Sequence, residues 1–413
     1  MAGRTRLRRR IFGHRTLISS LQSLYRTVVG SYMEFQHSRI DDSPPCGQMS
    51  FCLTTDLTGN GLPDVIVGAL GGIYPFTVPV IGKDLNLRKL PGTREVIKQM
   101  ETNVFWYENP GWERHDVAKA PDLSVGGSLG DISGDGTMDL VAGQNLNEHD
   151  LYWFEQPDDP REEWTRRLIT DDFEKYHDTA VADVDGDGED EVVVLSQESA
   201  VVFYYDIPED PRREPWPVEN RHMVAEDLDV EGVEVADVDG DGTVEILAGP
   251  NVFHRNGDGT WDRESIAEGW PWTRLAVADV DDDGEDEILV TEGDLPYQDP
   301  DDRRARLGLF DPPEWTPTIL HDDLSNPHSL QVADIDDDGD LEIYVAEMGL
   351  EEGHTPRQFV FHRNDDGSFE PEVIEEGVAT HEAKVVDLDG DGRLDIVGKG
   401  YSERNVDAWF NVV

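Results

Sequence analysis

Apolar residues along this chain come in short runs separated by polar, turn-rich stretches, and no run reaches the 18 residues that a membrane-spanning helix needs. The runs recur in one rhythm. An apolar strand such as Thr179-Ala180-Val181-Ala182 enters a polar turn, and a second, Val192 to Leu195, leaves it. A third is rich in aromatics, as in Val104-Phe105-Trp106-Tyr107, Tyr152-Trp153-Phe154 and Val202-Phe203-Tyr204. A fourth follows a turn containing Pro, Gly or Asp, as in Trp164 to Ile169 and Thr316 to Leu320. Four short strands per unit of 42 to 55 residues is the period of a β-propeller blade.

The polar turn between the first and second strands is itself repeated. Five copies read D-x-D-x-D-G-x-x-[DE], at 183–191, 237–245, 279–287, 334–342 and 387–395. Two looser copies lie upstream, at 131–139 with Ser133 in the third place and at 56–64 with Thr58 and Asn60. Seven units close a ring, which predicts an all-β, seven-bladed propeller over residues 31–413. An open solenoid would need polar capping units at both ends, and none is evident. The last unit stops at Trp409 to Val413 without a fourth strand, and Tyr32 to Ile40 reads like the missing one. Pairing the two would remove an open sheet edge. The spacing from the first loop to the second is 75 residues, and the surplus, 71–103, is expected over the central channel. Residues 1–30 stand apart: eight Arg and one acid (Glu34) in the first 40 give +7 there. Arg15 and Arg26 interrupt the apolar stretch of an export signal. The segment is expected to be disordered or a short helix at Leu17 to Val29. Localisation stays open, cytoplasmic by default, with export the alternative.

Carboxylates at places 1, 3 and 5 of the turn converge only if the backbone curls tightly, which Gly at place 6 permits. A hard dication suits such a cluster, with the acid at place 9 completing its shell. An EF-hand is excluded, because place 12 is Val194, Ala248, Val290, Val345 or Gly398 rather than Glu. The expected Ca2+ ligands are Asp183, Asp185, Asp187 and Glu191; Asp237, Asp239, Asp241 and Glu245; Asp279, Asp281, Asp283 and Glu287. Asp334, Asp336, Asp338 and Glu342 follow, then Asp387, Asp389, Asp391 and Asp395. The looser loops offer Asp131, Ser133, Asp135 and Asp139, and Asp56, Asn60 and Asp64, so five to seven sites are expected.

Composition adds a second theme. With 34 basic against 89 acidic residues the net charge is −55, and seven dications would bring it only to −41. Only seven of the basic residues are Lys. Such a surface suits a protein kept soluble at very high salt, and it disfavours nucleic acid and anionic membrane as partners. Cys46 and Cys52 suit a disulfide or two buried thiols equally.

The loops resemble the FG-GAP and VCBS repeats, known from integrin α-chain propellers and many microbial proteins, over about residues 45–413. The resemblance implies Ca2+ between the first two strands of each blade, and strand starts that open onto the opposite face. Such repeats serve adhesion, binding of protein or carbohydrate ligands and, less often, catalysis on sugars. Aldos-2-ulose dehydratase and some polysaccharide lyases are similar in the propeller, where histidines in the channel hold a metal.

Six residues before their loops stand His177, His328 and His381, with Ser50, Val125, Glu231 and Thr273 at the same register in the other blades. Ring symmetry puts these at one height, where the histidines are expected to converge on Zn2+ or another transition metal. Glu347 or Lys399, at second-strand ends, would then act as general base for a lyase or dehydratase. The alternative is that each His bonds the backbone of a neighbouring blade. Trp270 and Trp272 suit sugar stacking or packing between blades. His254 and His362, on outer strands, read as structural. The two functions that emerge are a Ca2+-stabilised binding module and a carbohydrate lyase or dehydratase.

Overall fold

The computed structural model describes residues 33–71, 75–78, 83–86, 102–297, 303–313 and 315–413. Residues 1–30 and most of the 71–103 insertion, with the expectation that it covers the channel, lie outside the described residues. Within the insertion Pro75–Val78 and Lys83–Asn86 pair antiparallel.

Each of the seven units folds as a four-stranded antiparallel sheet in simple up-and-down order. The innermost strands, in blade order, are Met49–Thr55, Leu123–Gly130, Tyr176–Ala182, Val233–Ala236, Thr273–Ala278, Pro327–Ala333 and Glu382–Val386. Each packs on the next, and the seventh packs on the first, so the ring closes. Second strands such as Glu191–Ser196 and Glu342–Glu347 are buried on both faces, which explains why they read as unbroken apolar runs. Outer strands such as Trp261–Ser265 are largely exposed.

Seven hydrophobic clusters hold the ring, each shared by two neighbouring blades. Trp153 and Ile169 of blade 2 meet Val192 and Phe203 of blade 3, for example. Cys46 and Cys52 of blade 1 meet Val397 and Ala408 of blade 7. Both cysteines are buried and are not joined in a disulfide, and burial pushes the Cys52 thiol up to about 12.

Closure follows the expected route. Phe35–Asp41 runs antiparallel to Val406–Asn411, from Phe35 opposite Asn411 to Asp41 opposite Val406, as the outermost strand of blade 7. His37 stacks on Trp409 at 5.1 Å, and the fully buried Asp407 accepts from His37 Nε2 at 2.7 Å and Arg39 Nε at 2.8 Å. Burying a carboxylate is tolerable here because the closing strand brings His37 and Arg39 to it, while Asn405 Nδ2 donates to its other oxygen.

Candidate functional site

The two ends of the inner strands carry different chemistry. At the loop end all seven turns fold alike. The place-6 Gly, at φ between 86° and 96°, donates its N–H to the place-1 Asp at 2.7–3.0 Å in every blade. Only glycine adopts that backbone cheaply. The place-9 acid is anchored as well. It accepts the place-2 N–H at 2.8–3.1 Å in six blades, and in blade 2 Asp139 accepts from Ser133 N at 2.7 Å.

This scaffolding holds carboxylates together against their repulsion. Oxygens of Asp279, Asp281, Asp283 and Glu287 lie within 4.8 Å of one another, as do those of Asp183, Asp185 and Glu191, and of Asp237, Asp239 and Asp241. Burial, with the neighbouring carboxylates adding to it, pushes Glu191 and Glu287 up to about 7 and Glu245 up to about 6. Asp64, Asp139 and Asp395 rise to about 6, again chiefly through burial. Asp237 Oδ1 and Glu287 Oε1 are buried without a hydrogen-bond partner. An all-oxygen, net-negative set with orphaned buried oxygens fits a hard dication such as Ca2+.

The loops are not identical. Where place 9 is Asp, its second oxygen accepts an N–H from the third strand: Asn109 for Asp64, Gln156 for Asp139 and Asn411 for Asp395, each at 2.8 Å. In the first loop Asn60 Nδ2 donates to Asn109 O and Asn60 Oδ1 accepts Leu62 N, both at 2.8 Å. In the second, Thr137 donates twice to Asp135 Oδ1, and its hydroxyl holds that carboxyl below its usual range.

Along the channel, from six to two residues before the loops, lies a cavity of about 320 Å³, walled by inner-strand residues of all seven blades. Asp178, Glu234, Arg274, Gln331, Glu382 and Lys384 supply its polar lining. These stand five or three residues before their loops. Strand alternation sends that set into the lumen and turns most of the histidine register, one residue away, toward neighbouring blades, Val125 and His328 excepted. Accordingly Ser50 Oγ donates to Leu123 O at 3.1 Å and Thr273 Oγ1 to Glu231 O at 2.6 Å, each across a blade boundary. Of the three histidines only His328 lines the cavity.

Those histidines are drawn together in part. His328 and His381 stack with ring centres 4.0 Å apart, and His328 Nδ1 lies 3.2 Å from His381 O. His177 contacts Asp178 through Nδ1 at 2.6 Å and Glu231 through Nε2 at 3.3 Å. Arg274 joins the two groups: its Nε is 3.3 Å from His328 Nδ1, its Nη2 bonds His328 Nε2, and its Nη1 is 3.7 Å from Asp178. Lys399 Nζ donates to Met49 O at 2.7 Å and Ser50 O at 2.6 Å and contacts His381 Nδ1. Burial, with neighbouring cations adding to it, holds His328 and His381 well below the usual histidine range. Burial likewise brings Lys399 down to about 7. Asp178 is raised by burial, but His177 and Arg274 outweigh that and leave it lowered. With Arg274 and Lys399 directed at the ring nitrogens, this donor set as it stands does not fit a transition metal.

Glu347 and Lys399 are not brought together at the lumen. Glu347 is buried beneath Arg357, His354 and Ser325 N, which contact its oxygens at 2.8 Å. Glu292, its counterpart in blade 5, is raised by burial but lowered overall by Arg306 and Arg303. Trp270 is 5 % exposed, packs edge-on against Phe310 at 5.2 Å under Arg306, and is therefore blade core.

An acidic-loop, seven-bladed propeller is the class these features define. Residues 131–194, 183–248 and 237–290 each match the FG-GAP-like repeat, so the chain carries FG-GAP-like repeats. No curated protein matches it in sequence. Among solved structures, an ancestral GH74 enzyme superposes with a TM-score of 0.53 at 11% identity, over 92% of this chain and 48% of its own. The chain thus spans about half that structure's length, and the likeness is one of fold.

Proposed function

We propose that the protein is a Ca2+-stabilised binding module that takes a small hydroxyl-rich ligand, a carbohydrate end group, in the channel mouth opposite the loops. The observation that carries this is the lined cavity. At about 320 Å³ it has room for one or two sugar rings, and it offers donors and acceptors of both charges within one ring of strands. Arg274 and Lys384 present N–H groups to ring hydroxyls or a uronate, while Asp178, Glu234 and Glu382 accept from them. Calcium in the loops would hold the inner strands that carry these groups. Calorimetric titration with neutral and acidic saccharides tests the reading. Micromolar to millimolar binding that Arg274→Met or Glu382→Gln weakens at least tenfold is expected. Undiminished binding in both variants removes the channel as the site.

The second reading is a carbohydrate lyase or dehydratase. Lys399, brought down to about 7 by burial beside the stacked histidines, favours it, since perturbed groups cluster at catalytic sites. Lys399 is, however, buried behind the lumen rather than in it. Appearance of an unsaturated product from an acidic saccharide, lost in Lys399→Met, would support it.

A further inference from the structure

Two third strands carry a feature that the binding reading does not use. Asn251–Arg255 and Arg357–Arg363 contain Val252-Phe-His-Arg-Asn256 and Val360-Phe-His-Arg-Asn364 as near-copies extending into the turns that follow. Ile246 pairs with Phe253 and Ile343 with Phe361, so His254 and His362 occupy one register relative to their loops. The other five blades hold Glu108, Glu155, Asp206, Asp311 and Phe410 there.

Both histidines face their own loop. His254 Nδ1 lies 3.5 Å from Glu245 Oε1 and 3.9 Å from Asp239 Oδ2, and His362 Nδ1 lies 3.9 Å from Glu342 Oε1. On the far side His254 Nε2 is 3.5 Å from Glu264 and His362 Nε2 is 2.9 Å from Glu372. Those two acids correspond as well, being opposite Val252 and Val360. Asp239, Glu245 and His254, and likewise Asp336, Glu342 and His362, bring one nitrogen and two oxygens within 4.8 Å. Glu245 and Glu342 are at most 2 % exposed, and His362 Nδ1 is buried without a hydrogen bond.

The spacing is informative. A direct imidazole–carboxylate hydrogen bond closes to about 2.8 Å. Ligands on a tetrahedral ion with bonds of about 2.1 Å stand about 3.4 Å apart, near the separations on the loop side. A carboxylate on the opposite ring nitrogen is the arrangement that orients a metal-bound imidazole. Nitrogen suits a borderline transition dication and not Ca2+, which takes oxygen.

The geometry points to a zinc-class cation site in blades 4 and 6, on Asp239–Glu245–His254 and Asp336–Glu342–His362. Because it draws two carboxylates from the loop, the transition ion takes the place of Ca2+ in those two blades. It stands apart from the channel reading and survives that reading's failure. The test is titration of the untagged, Ca2+-saturated full chain with Zn2+ and with Co2+, followed by metal analysis and visible absorption. Uptake of about two ions per chain is expected, with loss of about two Ca2+ and a nitrogen-ligated Co2+ spectrum. His254→Gln and His362→Gln should each remove one ion, and the double variant both, with circular dichroism and the remaining Ca2+ unchanged. A double variant that keeps the Zn2+ stoichiometry at an affinity within twofold of the parent overturns the proposal. So does a parent chain that takes up neither ion at ten times its own concentration.

Discussion

The two ends of the inner strands solve the same electrostatic problem differently. At the loop end carboxylates are gathered by backbone N–H groups, and like charges lie within 4.8 Å. At the channel end Asp178, Glu231 and Glu382 meet Arg274, His177 and Lys384 from other strands at 2.6–3.7 Å or from their own. One face gathers negative charge that ions from solution could offset, and the other neutralises itself. The difference teaches that a single fold can confine its dependence on solutes to one side.

The strongest break removes both sides at once. Deleting residues 33–41 takes away the strand that pairs Val406–Asn411 and strips Asp407 of His37 and Arg39. A fall in Tm of more than about 15 °C, or no folded protein, is expected, against less than about 2 °C for deleting residues 1–28. Equal melting temperatures would refute closure. Next comes chelation, which should reach only the loop end. Each site at a hundredfold excess over Kd contributes about 2.7 kcal/mol, so removing several should lower Tm by roughly 10 °C or more. An unmoved transition in excess chelator would take the stabilising role from the loops.

Smaller effects separate the channel. Arg274→Met leaves Asp178 and Glu231 short of a cation, and a cost of about 2–4 kcal/mol in denaturant unfolding is expected in Ca2+ and in chelator alike. A cost that disappears in chelator would couple the two ends. The smallest effect is one of pH. Lys399 is favoured neutral in the fold, at about 7, so the unfolded chain binds the extra proton above that value and stability rises with pH. Between pH 7 and 9, below the range where Cys52 at about 12 opposes it, the slope approaches about 1.4 kcal/mol per unit. Lys399→Met should flatten it, and an identical slope in the variant would contradict the assignment.

Much of this was legible in the sequence because it is local. The seven D-x-D-x-D-G-like turns gave the blade count, and Tyr32 to Ile40 anticipated the closing strand Phe35–Asp41. Aromatic runs marked third strands such as Leu151–Glu155. The channel was less legible, since a one-residue slip in a strand swaps its faces. The histidine register was expected at the lumen, whereas the residues one and three places on, including Arg274, Glu234, Gln331 and Lys384, line it. Arg274 reaches Asp178, Glu231 and His328 in three other blades, which no local pattern encodes. His254 and His362 read as structural because each was weighed alone. The shared V-F-H-R-N was the signal that singled them out.

The fastening of blade 7 also bears on how the molecule is made. Arg39 meets Asp407 across 368 positions of chain, so the last wedge of the wheel stays unfinished until Val406–Asn411 has been made. Six sectors can dock in turn as they emerge, while the first strand waits with its edge bare. Loop-closure entropy of that size makes the final latch slow, and a nascent chain of this kind is exposed to borrowing the strand of a neighbour before it finds its own.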